Sequence, residues 1–156
     1  AAATTIGYRV TVCDPRSLFA TPERFPGVEL AVQWPTGWLE REISTGSITD
    51  DTAICVLSHD ARFDAELIAL ALASPAGYVG AMGSRNTHDR RVASLAERGV
   101  NDLTRLHSPI GLDLGVSTPA ETAISILAEV LAARSHSSAS PLRSTSGAIH
   151  GARVRA

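Results

Sequence analysis

From its first residues to about Arg134 the chain alternates short β-rich runs with helix-periodic runs, and that alternation leaves few folds open. Strands joined through helices run parallel, and each crossover lays a helix on the sheet, so a parallel sheet ends up covered on both faces. Ala1 to Ile6 read as the last turn of a helix. Gly7 is placed to leave it in the left-handed conformation, and Tyr8 to Cys13 form a strand ended by Asp14-Pro15. In Val28 to Gln33 apolar and less apolar residues alternate, which suits an edge strand, whereas Ala53 to Leu57 is apolar throughout and is expected at the centre of the sheet.

The second half is marked more clearly. A helix follows from about Asp60 or Asp64, with Phe63, Leu67, Leu70 and Ala71 on one face. Tyr78-Val79 starts a strand. Ser84 can cap a helix that buries Val92, Leu95 and Ala96 and stops at Gly99. Leu103 to Ile110 is expected to add a short last strand. Thr118-Pro119-Ala120-Glu121 is a capping box with proline in the first turn, and Ile124, Leu127, Val130 and Leu131 supply the buried stripe of the helix it opens. After Arg134 the sequence turns serine-rich with no acidic residue, so the organisation expected is an α/β domain over 1–135 and a disordered Ser/Arg tail over 136–156.

A dinucleotide-binding half of a Rossmann fold opens with a strand, a glycine-rich turn and a helix, and then a second strand ending in an acid. Here the helix end and the second strand are present and Asp14 stands at the acid's place; an ordinary turn before Pro15 explains Asp14 equally well. The expected fold is therefore a Rossmann-like, doubly wound parallel sheet lacking the first strand and the glycine-rich turn. In the usual order 3-2-1-4-5-6 the first strand is central, so its absence predicts a gap. Upstream residues left off the chain, direct pairing of Tyr8–Cys13 with Ala53–Ser58, or poor folding of the chain alone each follow as explanations, and the first is favoured.

Composition narrows the partners. Net charge is −2, and the 1–135 region alone carries 11 basic against 16 acidic residues, so the basic footprint of a nucleic-acid binder is missing. All 14 basic residues are Arg. No run approaches the roughly 20 apolar residues of a membrane span, and a soluble cytoplasmic protein is the default expectation. Cys13 and Cys55 lie in strand-like runs, where free cysteine serves as a small buried hydrophobe, and without a CxxC spacing neither a zinc site nor a redox motif is indicated. His59, His88 and His107 are too dispersed to argue for a metal.

Ligands of open parallel sheets bind beyond the carboxyl ends of the strands. His59 and Asp60 follow the run expected at the centre and could face a ligand or simply cap a helix. Gly80-Ala81-Met82-Gly83-Ser84-Arg85 joins a strand to a helix with small residues, free amides and a guanidinium, the physics of an anion site. Gly80, Gly83, Ser84 and Arg85 are its candidates. Gly111 and Asp113 lie in a second glycine-bearing loop, where Asp113 could accept hydrogen bonds from a ligand's amino groups or organise the loop.

In combination, Gly7-Tyr8-Arg9-Val10-Thr11-Val12, Ser58-His59-Asp60, the run from Gly77 to His88, Leu106 to Gly115 and Thr118-Pro119-Ala120-Glu121 resemble the XdhC/CoxI family of xanthine dehydrogenase accessory proteins. The resemblance implies an accessory role rather than turnover: binding the molybdenum cofactor, protecting it during sulfuration and delivering it to a xanthine dehydrogenase-type molybdoenzyme. It implies His59, Asp60, Gly83, Ser84, Arg85 and Asp113 as ligand-facing residues. A cofactor-sulfurating enzyme and a second copy of the chain are further partners compatible with it. An NAD(P)-dependent oxidoreductase on the same fold, or a ligand-free domain that recruits partners, are the alternatives, and the absent GxGxxG fingerprint weighs against the first.

Overall fold

The computed structural model describes residues 1–58, 61–115, 118–146 and 149, with the backbone alone at 61–63. Among the described residues, five parallel strands divide into two sheets. β1 (Thr11–Cys13) pairs with β2 (Glu29–Ala31), while β3 (Ala53–Val56), β4 (Tyr78–Ala81) and β5 (Leu106–His107) pair in that order. Laid out as β2-β1, then β3-β4-β5, this is the Rossmann order with its first strand missing between β1 and β3. Among the described residues β1 pairs only with β2, so direct pairing of the Tyr8–Cys13 run with Ala53–Ser58 is overturned.

Helices span the divide on both faces. On one, α2 (Pro35–Ser44) packs on α3 (Ala61–Ala73), and α3 on α4 (Arg85–Glu97). Leu39, Val56, Ile68, Val79, Ala81 and Leu95 form the core beneath them. On the other, α1 (Ala2–Thr5) touches α5 (Pro119–Arg134), and Tyr78, Ile126 and Val130 pack with Tyr8, Ala53, Met82 and Ile110. Burying side chains such as Leu39, Ile68 and Leu95 contributes about 1.5–3 kcal/mol each. Arg105 ties the end of α3 to β5 by donating to the Ala76 carbonyl at 2.8 Å, the Ser74 carbonyl at 3.1 Å and the Leu72 carbonyl. Beyond Arg134 the described residues are exposed and carry one 3-10 turn, Leu142–Ser144.

Several local expectations hold for visible reasons. Gly7 has φ +90° and Gly99 +78°, as glycines that leave helices do. Ser84 Oγ accepts the Thr87 amide at 3.2 Å, and Thr118 and Glu121 close a reciprocal capping box. Others need correction. The all-apolar run at β3 is not central: β4 is, with all four residues buried, while Cys55 and Leu57 are exposed at an edge that no described strand covers. Cys55 is thus not the buried hydrophobe expected, and Cys13 is half-buried.

Helix faces also turn. On α4 it is Arg91, not Ala96, that joins Leu95 in the interior. On α5 the buried residues are Ser125, Ile126 and Val130, and Ile124 is exposed. The cause is polar: Ser125 and Glu129 find partners on the inner face, which outweighs burying a few more methylenes. α2 carries Pro35 in its first turn and buries Leu39, which is 2% exposed.

Candidate functional site

The carboxyl ends of β3, β4 and β5 converge on a polar frame. At its centre is Arg91, 5% exposed. Its Nη2 donates to the Met82 carbonyl at 2.9 Å, its Nη1 donates to Ser108 Oγ at 2.7 Å, and it lies 3.7 Å from the Asp64 carboxylate. Asp64 in turn accepts a short hydrogen bond from Ser58 Oγ, just past β3. One guanidinium therefore joins the loops after all three strands, and burial of its charge is offset by the Asp64 carboxylate. Among the described residues, Arg91 Nε and His88 Nδ1 are buried and have no hydrogen-bond partner.

Beside this frame runs the turn into α4. Gly83 has φ +154°, and a Cβ there would lie 2.9 Å from the Thr87 side chain, so only glycine is accommodated easily. Ser84 satisfies the Thr87 amide, but the amides of Ser84, Arg85 and Asn86 have no acceptor within the helix by position. Arg85 is exposed at the same end. Backbone donors, the positive end of the helix and a guanidinium thus meet on one surface. Gly80 sits elsewhere: it is buried in mid-strand, where a Cβ would meet the Ile110 side chain at 2.4 Å and the Tyr78 ring at 2.8 Å. Its smallness admits Ile110, and it does not border the turn.

The second loop is held by α5. Glu129 Oε2 accepts from the Tyr78 hydroxyl at 2.6 Å and from the Gly111 amide at 2.8 Å, and its Oε1 lies 3.4 Å from His107 Nδ1. The His107 ring stacks on Tyr78 with centroids 4.4 Å apart. Burial, reinforced by the bond to Glu129, drives the Tyr78 hydroxyl's pKa far up, so it remains a donor. One turn earlier, Ser125 Oγ donates to the Leu112 carbonyl at 2.6 Å, and it would lie 2.7 Å from any Cβ on Gly111, whose φ is +103°. Ile110 N–H donates to the Ala81 carbonyl at 3.1 Å, linking this loop to β4. Asp113 projects from this fixed base and is exposed.

Asp14 belongs to the other sheet. Its carboxylate accepts from the Arg16 amide at 2.9 Å, Nε at 3.0 Å and Nη2 at 2.8 Å. The hydrogen bonds from the Arg16 side chain hold its carboxyl below the usual carboxylate range. The arrangement is a side-chain turn closed by an ion pair, with the Arg16 guanidinium also 4.2 Å above the Phe19 ring. His59 and Asp60 lie outside the described residues. Gly83, Ser84 and Arg85 therefore share one surface, Gly111 and Asp113 share the loop next to it through the Arg91–Ser108 link, and Asp14 is on a separate strand end.

Arg91 and Glu129 were not singled out from the sequence. The spacing of Ser84, His88, Arg91 and Leu95 puts Arg91 on the same helical stripe as the cap and the core leucine, which is the signal that could have found it. Glu129 lies between Ile126 and Val130, the two buried apolar residues of α5.

Comparison with known proteins follows the same outline. The family model described as the XdhC Rossmann domain matches residues 1–130. A protein of Bacillus subtilis, named as a probable subunit of xanthine dehydrogenase, is 27% identical over 128 residues, covering 82% of this chain and 36% of its own length. The molybdenum cofactor insertion chaperone PaoD of Escherichia coli is 32% identical over 95 residues, covering 60% of this chain and 30% of its own length. A crystal structure titled as a xanthine dehydrogenase from Bacillus halodurans superposes with a TM-score of 0.74 at 26% identity, over 90% of this chain and 40% of that one. The chain thus spans between 30% and 40% of the length of these three proteins.

Proposed function

Because the chain belongs to the XdhC Rossmann-domain family, we propose that it is the cofactor-holding domain of an accessory factor that matures xanthine dehydrogenase-type molybdoenzymes. Its task in this reading is to hold the molybdenum cofactor and pass it to the apoenzyme, with no turnover of its own. The observation that carries the reading is the Gly83–Arg85 turn, where amides unused by the helix adjoin an exposed guanidinium. The molybdenum cofactor is a pterin with a phosphate tail, and such a turn fits a phosphate: the amides donate without side-chain ordering, and Arg85 supplies a planar two-pronged donor. When bound, the cofactor would supply the metal and the sulfur-accepting position, while this chain's residues bind and orient it. Asp113 is assigned to the pterin's amino edge, for which an exposed carboxylate on a fixed loop is a suitable acceptor.

The naming of PaoD as a cofactor insertion chaperone supports the same reading. Use as a dinucleotide oxidoreductase is disfavoured by Asp14, whose carboxylate is engaged by Arg16. The test is anaerobic gel filtration of the chain with released molybdenum cofactor and, separately, with NADPH, alongside Arg85→Ala. Co-elution of the pterin, weakened about tenfold in the variant as one charge-assisted contact is lost, is the expected result. Co-elution of NADPH alone overturns it.

A further inference from the structure

We propose that Arg91 is the positioning residue of this anion site, setting the direction of the Gly83 amide and locking the turn to the loop after β5; the proposal rests on the function proposed above. Arg91 is unsuited to be the anion's own charge partner, because it is 5% exposed and already faces Asp64 at 3.7 Å. What it does instead follows from peptide geometry. The Met82 carbonyl and the Gly83 N–H share one plane and point in opposite directions. With the carbonyl held at 2.9 Å by Nη2, the Gly83 N–H is turned away from the interior, toward the surface that carries Arg85. Nη1 simultaneously holds Ser108 Oγ at 2.7 Å, so the Ser108–Asp113 segment keeps a constant offset from that amide. Among the described residues no other side chain bonds the loops after both β4 and β5. A site of fixed donors pre-oriented in this way binds without an ordering cost.

Lysine keeps the charge but has no planar fork to reach both acceptors at once, so Arg91→Lys separates positioning from charge. The probe is inorganic phosphate, titrated while ¹H–¹⁵N shifts of Gly83, Ser84 and Arg85 are followed at a temperature where circular dichroism shows each variant fully folded. Arg91→Lys is expected to weaken phosphate about tenfold and Ser108→Ala about threefold, in proportion to the bonds lost. In the phosphate-free protein, the ¹⁵N order parameter of the Gly83 amide is expected to fall from the rigid range of about 0.85 toward about 0.6 in Arg91→Lys as the peptide plane is released. A merely structural arginine would lower the melting temperature and leave both readings on the folded protein unchanged, and that result overturns the proposal. Should Arg91→Lys not fold, Ser108→Ala decides it by the same two readings. If the wild-type chain shows no phosphate shift, the function proposed above fails, and the Gly83 order parameter alone then decides the role of Arg91.

Discussion

Replacing Glu129 with alanine tests a carboxylate that joins α5 to β4, to β5 and to the loop after β5. Its carboxylate serves the Tyr78 hydroxyl at 2.6 Å and the Gly111 amide at 2.8 Å through one oxygen. Tyr78 is 3% exposed, and its hydroxyl loses its acceptor when the carboxylate is removed. An interior donor left without an acceptor costs about 1–3 kcal/mol. The Gly111 amide is half-buried and falls at the low end, so the two together give about 2–4 kcal/mol. For a chain of this length each kcal/mol moves the melting temperature by about 2–4 °C, hence a fall of roughly 5–15 °C. Urea titrations followed by circular dichroism would supply the free energies. Tyr78→Phe removes the donor with its acceptor intact and should cost only about 1 kcal/mol. The decisive quantity is the double-mutant cycle: in the absence of the carboxylate, Tyr78→Phe should become neutral or stabilising, a coupling of about 1 kcal/mol or more. Strict additivity, or a Glu129→Ala protein that melts within about 2 °C of wild type, refutes the account.

Other expectations follow from single contacts. Gly77→Ala would place a Cβ 1.9 Å from the Asp50 carbonyl oxygen, a backbone atom that cannot swing aside, and should cost about 3 kcal/mol by urea denaturation. Thr118→Ala removes the cap of α5 and should cost about 1 kcal/mol by the same measurement, with Thr118→Ser close to neutral. Burial first, then Asp14 beside it, pushes the half-buried Cys13 thiol up to about 11. Iodoacetamide at pH 7 should therefore label Cys13 in the folded protein at least about tenfold more slowly than in the urea-unfolded one. The same shift fixes the sign of the alkaline dependence. The unfolded thiol ionises near pH ~8.5 and the folded one near 11, so the unfolded chain loses its proton first and stability falls as pH rises between those values. Urea midpoints at pH 7.5 and pH 10 check it, and equal midpoints would count against a buried Cys13 thiol.

Much of the local structure could be read directly because its causes are local. A cap such as Thr118 with Glu121, or a helix-ending glycine such as Gly99, is decided by hydrogen bonds and backbone freedom within a few residues. The parallel α/β class was legible for the related reason that alternating periods admit few other arrangements. Placement within the sheet was not. Ala53 to Leu57 reads as central because it is apolar on both faces, yet apolarity records what a strand is built to be covered by, and β3 lies at an edge of its described sheet. The candidate site was half legible. Gly83 and Ser84 announce themselves through turn chemistry, whereas Gly80 has the same composition signal and serves to admit Ile110.

Sequence alone thus determined the Rossmann class, the helix ends, the gap beside β1 and the Gly83–Arg85 turn, all features set by residues close together in the chain. Only the tertiary structure decided which face of α4 and α5 turns inward. That choice rests on partners far apart in sequence: Arg91 reaching Asp64, Met82 and Ser108, and Glu129 reaching Tyr78, His107 and Gly111. A hydrophobic pattern treats an arginine or glutamate as surface, because burying a lone charge is costly. Where the fold brings acceptors and the Asp64 carboxylate to Arg91, and donors to Glu129, that cost is offset, and the polar side chain goes inside.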